Sequence, residues 1–148
     1  MELRQSEPSP LEKIENLTQA LEVLEGVERS NEKKEIGLGC EYEHSFTNGI
    51  YVRKMRIPKD LVIVTAVHKT QHPYFIMYGD VSVFSEDGMV RLVGPYSGIT
   101  EPGTQRALRT HEDTLWITIH ATDKTDIESI MKDIAVDSMK EYKRLQED

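Results

Sequence analysis

His68 and His72 stand four residues apart in the stretch HKTQHPYFIMYGDVSVFSEDG, which runs from His68 to Gly88. Imidazoles lend lone pairs to metals and titrate near neutrality, so such a pair marks either a metal site or a polar pocket wall. Arg106 is the third residue of interest. A guanidinium carries donors and no lone pair, so it grips oxyanions and does not ligate cations. His44, His111 and His120 are the remaining imidazoles. His111 precedes Glu112 and Asp113 in a predicted turn, where a capping or solvated role is expected. His120 ends a predicted strand out of phase with Leu115, Ile117 and Ile119, which puts it on the opposite face from those residues. Cys40 is the only cysteine, so neither an internal disulfide nor a CxxC knuckle is expected, and a reducing compartment fits. With His44 it makes a weak thiol–imidazole pair at best. No serine sits in a nucleophile elbow, and the glycines of GDVSVFSEDG close strands instead of opening a phosphate-binding helix.

The elements that must position these residues change character along the chain. Ser9-Pro10-Leu11-Glu12 has the pattern of a helix start with a capping box. Leu11, Ile14, Leu17, Leu21 and Leu24 then form one apolar stripe on a helix that should stop near Gly26. VERSNEKKEIGLG reads as a linker. From Cys40 to Ala121 short runs of Val, Ile, Tyr and Phe alternate with turn signals such as Asn48–Gly49, Glu86–Gly88 and Glu101–Gly103, the pattern of an all-β sandwich or barrel. The expected strands are Ile50–Ile57, Leu61–His68, Tyr74–Tyr78, Asp80–Ser85, Met89–Val93, Gly98–Thr100, Gln105–Arg109 and Thr114–His120. Thr125-Asp126-Ile127-Glu128 caps a second helix, whose stripe runs Ile127, Ile130, Met131, Ile134, Ser138, Met139, Tyr142 and Leu145. The division is therefore 1–39 for the first helix and linker, 40–121 for the barrel and 122–148 for the last helix.

The 148 residues suit one domain. With 38% hydrophobic and 30% charged residues the chain is globular and not disordered. A net charge of −8 repels phosphate backbones, so nucleic acid is not an expected partner. The longest apolar run, Leu61 to Val67, is too short to span a bilayer, and MELRQSEPSP shows no basic-then-apolar signal pattern.

The stretches His44 to Tyr51, His68 to Gly88, Pro102 to Arg106, Glu112 to Trp116 and Ile119 to Asp123 together resemble the cupin superfamily, and more closely the small cupin-like proteins of tailed bacteriophages and prophages. The resemblance covers roughly Cys40 to Ile130. It implies a mainly β fold, a jelly-roll barrel flanked by an N-terminal and a C-terminal amphipathic helix. The general cupin motifs are G-x5-H-x-H-x3-E-x6-G and P-x-G-x2-H. Aligned on Gly79 and Gly103, they put Ala66, His68, His72 and Arg106 at the four ligand positions. Asp60 takes the place of the opening glycine, and Pro102 sits one place late.

Two imidazoles and a guanidinium do not make the three-ligand set of a catalytic metal site. No cofactor is therefore expected, and a metal on His68 and His72 would need further ligands from His111, His120, His44 or a partner subunit. The reading that follows is a non-enzymatic phage or prophage protein of the cupin fold. It would act by binding or assembly, in the host cytoplasm or on the virion, as a homo-oligomer or with other phage proteins. His68, His72, Arg106 and Tyr74 would form a small-anion pocket, strengthened as imidazoles protonate below about pH 6.5. Arg106 paired internally with Glu101 or Glu112 is the rival arrangement. A metal-dependent dioxygenase or sugar isomerase, and a purely structural assembly protein, are the alternatives.

Overall fold

The computed structural model describes residues 7–23, 28–29, 36–37 and 39–147. Helix α1 (Pro10–Val23) starts as predicted. Ser9 N–H donates to Glu12 Oε2 at 2.7 Å and Glu12 N–H donates to Ser9 Oγ at 3.2 Å, a reciprocal capping box. Ile14 is wholly buried against Val64 and Ala107, with Leu17 and Phe84 beside it, so the stripe lies on the outside of the barrel. Leu24 and the expected stop near Gly26 fall outside the described residues. Within the expected linker, β1 (Glu28–Arg29) pairs with β2 (Ile36–Gly37), and β2 joins the barrel at Ile36↔Val64.

The barrel strands are β3 (Glu41–Thr47), β4 (Ile50–Ile57), β5 (Val62–Val64), β6 (Val67–His68), β7 (His72–Tyr78), β8 (Asp80–Ser85), β9 (Gly88–Val93), β10 (Tyr96–Thr100), β11 (Ala107–Thr110) and β12 (Thr114–Ala121). One sheet has the order β1-β2-β5-β11-β8-β9 and the facing one β10-β7-β12-β4-β3. Their pairings are antiparallel. Between them lies a core of Met55, Ile57, Ile63, Ile76, Val81, Val83, Leu92, Leu108 and Trp116. Non-consecutive neighbours in both sheets give the jelly-roll layout.

Two features depart from expectation. The predicted strand Leu61–His68 is broken into β5 and β6. Ile63 joins the core and Thr65 faces inward, but Ala66 packs with Tyr51 and Ile130, and His68 turns inward again. The alternation slips at this break, so Val64, packed under α1, does not share a face with His68, which lines the interior. The single C-terminal helix is instead α2 (Ile127–Ile134), β13 (Ala135–Val136) and α3 (Met139–Gln146). The break forms because Ala135 and Val136 pair with His68 and Val67 across β6, and Ser138 then caps the next helix by accepting from Glu141 N–H. Ile130, Met131 and Ile134 of α2 pack on Tyr51 and Ala66 and close one end of the barrel. Leu11 of α1 meets Val67, Val136 and Met139 beside it.

Candidate functional site

Three inward faces build the site. Strand β4 turns Tyr51, Arg53, Met55 and Ile57 inward, β7 turns His72, Tyr74 and Ile76, and β12 turns Thr114, Trp116, Thr118 and His120. Register aligns them: Thr118 opposes Arg53, His120 opposes Tyr51, and Trp116 opposes Met55 and Ile76. The polar side chains therefore gather at the end that α2 closes. There they enclose a chamber of about 20 Å³, room for about one water, lined by Arg53, Thr65, His68, His72, Arg106 and Thr118 together with Met55, Leu108 and Trp116. A larger cleft of about 230 Å³ lies between α2 and the barrel, with His120, Ile130 and Asp133 among its walls.

Arg106 sits just before β11, locked by a reciprocal bond with Thr65. Its N–H donates to Thr65 Oγ1 at 3.0 Å, and Thr65 N–H donates to its carbonyl at 2.9 Å. The guanidinium is 9% exposed and donates to Thr100 Oγ1 at 3.0 Å. It lies 4.8 Å from the Tyr74 ring centre and 6.0 Å from that of Trp116. Those two rings stack 4.9 Å apart, 10° from parallel. Gly98 makes this possible, because a Cβ there would lie 2.6 Å from Tyr74 Oη. Glu101, one expected partner of Arg106, instead accepts from Gln71. Among the described residues no carboxylate pairs with Arg106. Burial pushes its pKa below the usual guanidinium value, although it remains a cation at neutral pH.

The histidines form a second cluster. His72 and His120 ring centres are 4.3 Å apart, and those of His68 and His72 are 5.0 Å apart. Loss of solvation lowers all three pKa values: His68 falls well below the ordinary value, His72 to about 4 and His120 to about 3. Arg53 adds to the effect in each, and Arg106 in His68 and His72. The chamber is thus held with neutral imidazoles beside permanent cations at pH 7, and the expected protonation near pH 6.5 moves down with these values. His72 Nδ1 lies 3.1 Å from the Thr70 carbonyl, and His120 Nε2 lies 2.9 Å from Thr118 Oγ1. The other nitrogens, His72 Nε2 and His120 Nδ1, are buried with no hydrogen-bond partner.

The expected residues therefore converge, with changed roles. His68, His72 and Arg106 line the chamber, while Tyr74 stands behind the guanidinium and does not line it. His120 joins them, on the face opposite Leu115, Ile117 and Ile119 as its phase required. Arg53 was not singled out, yet it alternates with Tyr51, Met55 and Ile57 on β4, a pattern visible in the sequence. His44 and His111 stand apart: His44 Nδ1 is 2.6 Å from Tyr51 Oη, and His111 Nε2 is 2.7 Å from Ser82 Oγ. Cys40 packs against the core. The metal that the barrel type implies does not fit this donor set. Two guanidiniums line the chamber and, among the described residues, no acidic side chain does, so a divalent cation would meet repulsion there. Among the described residues, no three of His, Cys, Asp and Glu group as a metal site.

The two facing antiparallel sheets form a jelly roll with an inward-facing polar cluster at one end. Its fold is that of the cupins. No family model matches the sequence, and no curated protein matches it. An RmlC-like cupin from Shewanella frigidimarina superposes with a TM-score of 0.50 at 16% identity, covering 60% of this chain and 80% of that one. KdgF from Halomonas sp. gives 0.51 at 15% identity, over 61% of this chain and 86% of that one. An acetylacetone dioxygenase from Acinetobacter johnsonii gives 0.51 at 14% identity, over 64% and 67%. These likenesses concern the fold alone. Nothing in them links the chain to phage or prophage proteins. Among the described residues no helix is long and apolar enough to cross a membrane.

Proposed function

We propose that this chain acts by binding, without catalysing a reaction, and that the closed end of its barrel takes a small anion. The observation that carries the reading is Arg106. A guanidinium 9% exposed, with no carboxylate partner among the described residues, is a buried charge awaiting an opposite one. The aromatic faces of Tyr74 and Trp116 offset part of its desolvation. An oxyanion would supply the rest through charge-assisted bonds. Arg53 lies on the same chamber wall. Among the described residues no carboxylate lines the chamber, which argues against the alternative of a metal-dependent dioxygenase or isomerase.

The biological setting belongs to the same proposal. It is a phage or prophage accessory or virion-associated protein, working as a homo-oligomer or beside other phage proteins, and it rests on the sequence resemblance alone. Presence of the chain in purified virions, and its mass by light scattering, test these points. The binding reading is tested by thermal stabilisation across a panel of small anions. Stabilisation that saturates in the wild type and vanishes in a folded Arg106→Met variant is the expected result. A flat response to every anion by the wild type overturns the reading.

A further inference from the structure

The hydrogen-bond pattern around His72 narrows the class of anion. A backbone carbonyl only accepts, so the 3.1 Å contact between His72 Nδ1 and the Thr70 carbonyl places the proton of the neutral ring on Nδ1. Nε2 then carries a bare lone pair. That atom is buried and unpartnered, in a side chain 3% exposed that lines the same chamber as Arg106. A plain anion would satisfy Arg106 and leave this lone pair facing negative charge. A ligand bearing a hydroxyl beside its anionic oxygens satisfies both. We infer that the chamber selects small hydroxylated oxyanions, of the bicarbonate or 2-hydroxycarboxylate type, with the anionic oxygens on Arg106 and the hydroxyl donating to His72 Nε2.

This rests on the anion-binding reading and adds a selectivity that simple charge attraction does not give. The chamber of about 20 Å³ holds about one water as it stands, so an ion of about four or five heavy atoms enters only by displacing lining side chains, which favours the smallest members of the class. Bicarbonate and nitrate make a direct comparison, since both are planar, trigonal and singly charged, and only bicarbonate carries a hydroxyl. Glycolate and acetate form a second such pair.

The experiment is titration calorimetry of the full chain near pH 8 with each of the four ions. Bicarbonate is expected to bind at least about tenfold more tightly than nitrate, and glycolate more tightly than acetate, the scale of one buried hydrogen bond. A His72→Phe variant keeps a ring of similar shape and removes the lone pair, and it should bring each pair level while leaving nitrate binding in place. Equal affinities in the wild type overturn this inference and leave the anion reading standing. Binding of none of the four overturns both. A readout that needs no variant is the long-range proton–nitrogen NMR spectrum of His72. The Nδ1-protonated tautomer is expected, with Nε2 responding to bicarbonate and not to nitrate, whereas an Nε2-protonated ring in the ion-free protein overturns the assignment.

Discussion

The two ends of the barrel are made from the same strands and behave oppositely. On β4 the inward face runs from Tyr51 and Arg53 to Met55 and Ile57, and on β7 it runs from His72 and Tyr74 to Ile76. The far end is self-sufficient: Ile57, Ile63, Ile76, Val81 and Leu92 belong to one buried apolar cluster. The end under α2 holds three imidazoles forced neutral, two buried imidazole nitrogens without hydrogen-bond partners and, in Arg106, a cation with no carboxylate partner among the described residues. Apolar burial drives folding, whereas buried, incompletely satisfied polar groups oppose it. One end therefore carries the stability and the other subtracts from it. Such a sacrifice, concentrated at the chamber, is what the proposed site would require.

Acid breaks this contrast most severely. The folded-state pKa of His72 is about 4 and that of His120 about 3, against 6.5 for a free imidazole. The unfolded chain therefore binds more protons in between. Stability is complete above about pH 6.5, declines as pH falls, and the imidazole contribution is exhausted once pH passes the folded values. A shift of this size in one histidine is worth on the order of 3 kcal/mol, and His68 is displaced in the same direction. Asp80 and Asp126, held below their usual carboxylate values by hydrogen bonds from Arg91 and Ser129, titrate later on the acid side. Loss already evident at pH 5 thus reports the histidines. Urea midpoints measured from pH 8 to pH 4 should fall steadily below pH 6.5, and an unchanged midpoint at pH 5 would contradict the picture.

At the apolar end the comparison is sharpened by truncation. Ile76 is wholly buried on β7 within the main cluster. Ile76→Ala removes its contacts and leaves a cavity, with an expected cost of about 3 kcal/mol in chemical denaturation. The loss should be similar at pH 8 and pH 6.5, because no titrating group is involved.

The apolar end was the more legible one in the sequence. β4 and β8 were read to the residue because turn signals bracket them: Asn48–Gly49 before β4, and Gly79 before and Glu86–Gly88 after β8. β3 was overlooked although Tyr42 and His44 alternate with Glu41 and Glu43, because its inward residues are only half buried and include a histidine. The polar end was legible in part. His68 and His72 stood out by their spacing and Arg106 by the resemblance to the cupin motifs, but Arg53 was hidden by the habit of assigning arginine to the outer face. His120 was placed on the right face, without any sign that it would stack on His72. That contact depends on the pairing of β7 with β12, which no local pattern encodes. The C-terminal stripe kept helical spacing straight through Ala135–Asp137, so periodicity alone read one helix. The Ser138-x-x-Glu141 cap was the overlooked local signal.

A smaller effect concerns that cap. Ser138 Oγ accepts from Glu141 N–H at 3.1 Å in an exposed position. Ser138→Ala should cost about 1 kcal/mol. The loss should appear as fraying of α3, seen as faster amide exchange there, with the barrel amides unchanged.

The smallest stability change is expected where a buried charge is removed. Arg106→Met takes away a guanidinium that pairs with no carboxylate among the described residues, and puts a flexible apolar chain between Tyr74 and Trp116. Lost are the bond to Thr100 and the cation–π attraction, worth about 1 to 2 kcal/mol each at most. Gained is relief from desolvating the charge, several kcal/mol per buried ion. The backbone lock with Thr65 is untouched, because it uses main-chain N–H and carbonyl groups. The terms nearly cancel, so the urea midpoint should move little or rise. The fall in stability between pH 8 and pH 5 should also shrink, since Arg106 is one of the charges that keep His68 and His72 neutral. A loss as large as that of Ile76→Ala would mean that Arg106 holds the barrel together, and would erase the distinction between its two ends.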